Sequence, residues 1–363
     1  MAGLSLAYRL RKDPHFDDQS ILILDRSDKK INDRTWCFWA KEAGLFDELI
    51  HHSWQKLSYL SKGIEKHSKV APYQYHMIRG IDFYEHCLSF LNTQPLTDFR
   101  QAQIKDYVEG SVISVITDHG TFRGKRVYKS YPDSFEIDNA HFVWQHFKGW
   151  IIESAHDHFD PVQATLMDFR IEQENQTRFF YVLPLSRRKA MVEFTIFSDK
   201  VFESHEYDRQ LTDYIQHFLK IADYTVLEEE TGAIPMTSYN FQATHKNTSI
   251  IPIGTQGGSV KASSGYAFTR VQRDMTRLVE QLKSGTQLTK PKNRYDFYDR
   301  IMLNAILKEK CTGRAVFDGL FNKLPFQSIF EFLDEEGTIF NDLKIFTGPP
   351  TLPFLKALIE EIA

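Results

Sequence analysis

The chain has 363 residues, enough for two intertwined domains, and its 42% apolar content can fill a core, which excludes a disordered chain. Its net charge of −4 comes without any basic stripe, so nucleic acid is not an expected partner. Three scattered cysteines (Cys37, Cys87 and Cys311) form neither a CxxC pair nor a disulfide framework and read as reduced cytoplasmic thiols.

In chain order, Gly3 to Leu10 carries apolar residues at helical spacing and predicts a helix that stops near Pro14. Ser20 to Leu24 is a continuous apolar run closed by Asp25, the pattern of a buried parallel strand with an acid at its carboxyl end. A glycine at a helix start and an acid about 20 residues on form the second half of a dinucleotide-binding unit. Its first half, a strand and two more glycines, is expected ahead of Met1 in a longer protein. Short alternating segments between Ile104 and Tyr128, broken by Gly110 and Gly120, predict an antiparallel meander. Longer strands are expected at Gly149–Glu153, Ala164–Ile171, Arg178–Leu183 and Ala190–Phe197, then a helix over Tyr207–Ala222. Ser249 to Gly254 returns as a buried strand, and from Tyr295 the chain reads as helical with an exit at Gly348-Pro349-Pro350. The expected fold class is α/β: a Rossmann-type dinucleotide-binding domain, incomplete at its N-terminus, with an inserted antiparallel-sheet domain and a helical C-terminus. The expected divisions are 1–134 and 238–285 for the two parts of the dinucleotide-binding domain, 135–237 for the inserted sheet and 286–363 for the helical region.

The densest glycine cluster is Gly254-Thr255-Gln256-Gly257-Gly258, followed closely by Gly265. Between a strand and a helix, such glycines let backbone approach a flat ligand while the helix N-terminus offers N–H groups to an anion. With Gly3 and Asp25 it reads as a cofactor loop, Asp25 accepting from ribose hydroxyls or else facing water as a strand-end acid. Arg79, opening a helix, is either a phosphate partner or a solvated arginine. Glu193 lies in a strand apolar on both faces, where loss of water raises a carboxyl's pKa and suits it to general-acid work on an alkene. The alternative is a salt bridge to Arg187 or Arg188. Asp168 and Arg170 alternate onto one strand face and read first as a mutual pair. His51, His52, His156 and His158 lack a third ligand at useful spacing, so no metal site is expected. No apolar run reaches the roughly 18 residues that span a bilayer. The 29 phenylalanines, 16 tyrosines and 5 tryptophans suit an apolar ligand or simply an aromatic core.

Six ordered segments resemble the bacterial-type lycopene beta-cyclases over nearly the whole chain. They are Asn32 to Trp39, Pro72 to Gly80, Ala190 to Ser198, Ile253 to Tyr266, Tyr295 to Arg300 and Gly348 to Phe354. The resemblance implies the glutathione-reductase and hydroxylase flavoprotein fold and the essential acid of the family at Glu193. It implies reduced FAD held by Gly3, Asp25, Arg79, Gly254, Gly257, Gly258 and Gly265, with NAD(P)H as reductant. It also implies cyclisation of lycopene and other linear carotenoids through gamma-carotene, by a cytoplasmic protein attached peripherally to the inner membrane. Two other readings use the same residues: a flavin monooxygenase or prenyl reductase, and a truncated non-catalytic carotenoid binder. Tyr128-Lys129-Ser130 departs from the family pattern, and Lys261 to Gly265 replaces its usual Pro-Ser-Thr-Gly; both read as drift.

Overall fold

The computed structural model describes residues 1–130, 140–241, 249–286 and 293–362, so the expected division at 134/135 falls outside the described residues. The first helix, Ala2–Lys12, buries Leu4, Leu6, Ala7 and Leu10 and rests against the long helix Phe268–Ser284, whose Val271, Met275, Leu278 and Val279 recur every three to four residues. Strand Ile21–Asp25 pairs in parallel with Thr97–Gln101, and Val127–Lys129 pairs in parallel with Ile250–Pro252. A cavity of about 1420 Å³ borders Ile21–Asp25 and Val127–Lys129; Gly3 and Ala7 line one part of it and Tyr107 and Phe122 another. Strands Ile104–Val108, Ile113–Thr117 and Gly120–Gly124 form an antiparallel meander, but the Val127-Tyr128 segment expected within it pairs in parallel with Ile250–Pro252 instead.

Seven strands make the largest sheet, in the order Tyr224–Thr237, Phe142–Ser154, Lys189–Ser198, Thr177–Pro184, Gln163–Asp168, Lys56–Ser61 and Ile64–Lys69. The sheet is not drawn from 135–237 alone, because Lys56–Ser61 joins it in parallel beside Gln163–Asp168, burying Leu57 and Tyr59 completely. Ile64–Lys69 hides from a sequence reading because it is an edge strand, and edges favour lysine and alternate polar residues. Tyr224–Thr237, the opposite edge, hides equally well. Its Glu228-Glu229-Glu230 run reads as solvated charge, yet the pleat sends Glu229 outward to Lys148, 3.0 Å away, and its neighbours inward.

The two faces of this sheet do different work. Helix Ser204–His217 covers the outer face with Tyr207, Leu211, Tyr214 and Ile215, packed on Phe180, Val192, Phe194 and Ile196. The Tyr214 ring stacks on Phe180 at 3.7 Å and its hydroxyl donates to Asp168 at 2.6 Å. Asp168, fully buried, also takes the Arg170 guanidinium, as the alternation predicts. The inner face meets the helices Arg294–Leu307, Gly313–Lys323 and Phe326–Leu333 through Phe169, Phe179, Phe317, Phe321 and Phe330. Gly348-Pro349-Pro350 is not an exit: it turns the chain into a further helix, Thr351–Ile362, with Pro353 in the first turn, where a missing N–H costs nothing.

Asp168→Ala leaves the Tyr214 hydroxyl and the Arg170 cation without their buried acceptor. It is expected to lower stability by about 3 kcal/mol, read as a lower urea midpoint at unchanged slope.

Candidate active site

The site grows from one row of the sheet. In register across four strands stand Tyr181, Glu193, Gly149 and Glu230. Directly opposed residues send side chains to the same face, here the inner one. Gly149 contributes no side chain, and the Met191 methyl and the Glu193 stem close over it: a Cβ there would lie 2.8 Å from that methyl and 3.4 Å from the Glu193 Cβ. Above the row runs strand Thr35–Ala40, held by the Thr35 N–H donating to Glu230 Oε1 at 2.9 Å. Alongside, the Asn32 amide donates to Glu228 at 3.2 Å.

Glu193 keeps part of its surface yet lies deep in the protein, which puts that surface on an internal crevice rather than on bulk water. Burial first, and then the facing Glu230, push its carboxyl up to about 8; the Thr195 hydroxyl, donating at 2.8 Å, opposes this only in part. Arg187 and Arg188, the salt-bridge partners considered for it, instead flank Asp157 at 3.7 and 3.1 Å. Burial also raises the Glu230 carboxyl, against the Thr35 hydrogen bonds that favour its ionised form. The Cys37 thiol and the Tyr75, Tyr181 and Tyr266 hydroxyls around Glu193 are all raised by burial and stay neutral at ordinary pH. This is a dry acid among aromatic rings.

The glycine loop reaches the same place. Gly254, Gly258 and Gly265 have φ of 60°, 69° and 72°, backbone that side chains resist. At Gly257 a Cβ would meet the Pro252 carbonyl oxygen at 2.8 Å, and at Gly254 it would meet Ala2 of the first helix at 2.8 Å, so Gly3 and the loop adjoin. At Gly265 a side chain would collide with Gln145 of the sheet. The next residue, Tyr266, hydrogen-bonds Tyr75 at 3.0 Å and packs on Trp39 at 4.4 Å, linking the loop to the Glu193 surroundings. Among the described residues, the buried Ser263 and Ser264 hydroxyls and the Gln145 carbonyl oxygen have no hydrogen-bond partner, as a polar group held by the loop would require.

Asp25 shares the large cavity with Gly3; its carboxylate accepts the Ser27 N–H at 3.0 Å and pairs with Lys29 at 2.9 Å. Arg79 ends strand Gln74–Arg79 and caps helix Gly80–Leu91, with its guanidinium 3.5 Å from Glu228. The structure thus brings Gly254 against the start of the first helix beside Gly3, and Gly265 against Gln145 of the sheet, with Tyr266 next to it leading toward the surroundings of Glu193. Arg79 belongs to the Glu228 side of the sheet. Two residues escape sequence reasoning: Glu230, masked by its acidic run, and Lys261. Read from sequence as drift, Lys261 is 1% exposed, 3.0 Å from Asp299 and 2.9 Å from Glu335, which also takes Arg270. Against the cost of burial, Lys261 and Arg270 hold the Glu335 carboxyl down to about 2. They fasten the loop to the C-terminal helices.

A family model described as lycopene cyclase protein matches residues 1–359. The lycopene beta-cyclase of Pantoea ananas is 28% identical over 222 residues, covering 58% of this chain and 56% of that protein; the chain thus spans about half the length of this curated relative. Among solved structures, the flavin-dependent brominase Bmp2 superposes with a TM-score of 0.58 at 11% identity, over 99% of this chain and 96% of that one. A geranylgeranyl bacteriochlorophyll reductase-like protein of Thermoplasma acidophilum gives 0.57 at 11% identity, over 100% and 93%. These likenesses establish the fold, the expected α/β flavoprotein architecture.

An acid raised by burial binds a proton in the folded chain that the unfolded chain has released. Glu193 therefore costs stability as pH rises from its unfolded value of 4.5 through about 8. Glu193→Gln removes that slope, so the melting temperature of the variant is expected to gain on the wild type across this window and to keep the gain above it.

Proposed function

Since the chain belongs to the lycopene cyclase family, we propose that it closes the linear ends of lycopene, and of related linear carotenoids, into beta-ionone rings, with Glu193 as the acid. The observation that carries this reading is a carboxyl kept protonated near neutral pH in an aromatic crevice beside a glycine loop. Glu193 gives its proton to a terminal trisubstituted alkene, leaving a tertiary cation. The neighbouring double bond attacks that cation to form the ring, and loss of a ring proton restores the proton count. No net electron transfer occurs. Tyr181 and Tyr266 lie beside Glu193 with electron-rich rings suited to a passing cation, and the packed inner face excludes water that would trap it.

The residues fit FAD. Gly3 and the start of its helix, with Gly254, Gly257, Gly258 and Gly265, would hold the cofactor, and the free Ser263, Ser264 and Gln145 oxygens would meet its polar edge. Asp25 would exchange Lys29 for a ribose, and Arg79 would serve as a further polar partner. In reduced form, with NAD(P)H as reductant, FAD when bound supplies an electron-rich ring face to the site. We further infer that the parallel pairs Ile21–Asp25 with Thr97–Gln101 and Val127–Lys129 with Ile250–Pro252, which border one cavity, belong to one cofactor-binding unit. The 1–134 and 238–285 segments would then act as the cofactor-binding part, 135–237 as most of the substrate sheet and 286–363 as its cover.

A hydrocarbon substrate must arrive from lipid. No described helix is long and apolar enough to cross a membrane. Instead, the last two helices, Ile339–Ile345 and Thr351–Ile362, leave Ile339, Phe340, Leu343, Leu352, Ile359 and Ile362 exposed, Phe340 at 79% and Leu352 at 72%. An apolar cleft of about 70 Å³, lined by Trp39, Tyr266, Phe317, Phe330, Phe346 and Phe354, runs between these helices and the glycine loop. We infer peripheral attachment by this face to the cytoplasmic side of the inner membrane, with the cleft as the way in.

Two measurements test the reading. In lycopene-accumulating cells the wild type is expected to yield beta-carotene, and Glu193→Gln to lose at least about 100-fold of that activity while retaining flavin. Persistent lycopene in the wild type, or net NADPH consumption, would count against cyclisation. In flotation with anionic liposomes, Phe340→Asp with Leu352→Asp is expected to reduce binding by at least about tenfold; unchanged binding would remove this face from the membrane contact.

A further inference from the structure

The row that presents Glu193 presents a second acid, and the two are not alike. Glu193 and Glu230 stand on either side of Gly149 in one register, on strands that both border Phe142–Ser154. Two strand spacings put their backbones roughly 10 Å apart; the residue between them is a glycine, over which the Met191 methyl lies. Their hydrogen bonds differ in kind. Glu230 accepts a backbone N–H from Thr35 at 2.9 Å, a donor that cannot reorient and favours a carboxylate. Glu193 receives only the rotatable Thr195 hydroxyl. Of two buried carboxyls on one sheet face, the one fixed by the peptide N–H ionises first, and its charge then disfavours ionisation of the other.

We propose that Glu230 is the ionised partner of this pair, a positioning residue that stands across Gly149 from the Glu193 acid and sets a fixed negative charge beside it. The role deepens the cyclase reading and rests on it, since a fixed anion opposite the proton donor is what a cation formed between them needs. Pairs of carboxyls driven to opposite protonation states by their surroundings are a recurrent way of dividing acid and counter-ion roles. The other titratable and charged groups facing the pair do not supply that charge. Cys37 on strand Thr35–Ala40, Tyr181 on the sheet and Tyr266 on the glycine loop face Glu193 and are raised by burial. Arg34 and Asp33 face Glu230, the first steadying its anion and the second opposing it. The Asn32 to Trp39 segment thereby acquires a chemical role, because its Thr35 amide selects which acid stays charged.

Glu230→Gln tests the charge apart from the fold, because the amide oxygen can still accept the Thr35 N–H. In the full-length chain the protonated Glu193 is followed by its infrared carboxyl band, identified by its loss in Glu193→Gln. The expected result is that Glu230→Gln lowers the pH midpoint of that band by a unit or more, while Glu230→Asp stays near the wild type. Lycopene turnover in liposomes should fall at least tenfold in kcat with KM nearly unchanged. An unmoved midpoint in Glu230→Gln overturns the proposal, whether or not the protein cyclises lycopene. Should Glu230→Gln fail to fold, a Glu230→Asp midpoint that drops as far as that of a neutral substitution would overturn it equally. A lowered midpoint in a chain whose wild type makes no beta-carotene upholds the pair and overturns the cyclase reading.

Discussion

Everything at this site depends on the denial of water to one carboxyl group. A glutamate on a solvated sheet would be ionised and could protonate nothing as unreactive as an alkene. Here the apolar inner face of a seven-stranded sheet, closed by helices from the other end of the chain, makes the charged form expensive. The cover is as important as the acid. Phe317, Phe321 and Phe330 close the inner face, and without them the carboxyl would be ordinary.

The division of labour between the two sheet faces follows from strand geometry. Alternation along Lys189–Ser198 sends Val192, Phe194 and Ile196 to the helix-covered outer face and Met191, Glu193 and Thr195 to the inner one. The outer packing is purely structural, with Tyr214 and Asp168 as its polar lock. Because period two is strict, a slip of one residue would exchange the faces and bury the acid against helix Ser204–His217. The long pairing of Phe142–Ser154 with both neighbours guards against that slip.

Much of this is legible from residues alone. Ile21–Asp25, the meander, the strand of Glu193 and the glycine loop all announce themselves, because each has a local pattern with one physical meaning: continuous apolar runs, alternation, glycines between strand and helix. What stays hidden depends on pairing between distant segments. The 56–69 hairpin joins the large sheet through a parallel contact with Gln163–Asp168, which nothing in its own polar pattern declares. Glu230 resembles a solvated charge because the pleat, not the composition, turns it inward. Arg187 and Arg188 look available to Glu193 by proximity in sequence, but the hairpin turn carries them to Asp157.

Lys261 carries a consequence of its own. Its ammonium, together with Arg270, Asp299 and Glu335, forms a four-member charge balance in a place that water scarcely reaches. Loss of any member would strand the others uncompensated, at several times the cost of an exposed pair. These four positions can therefore wander in descent only in concert. A chain that keeps the lysine must also keep its acids.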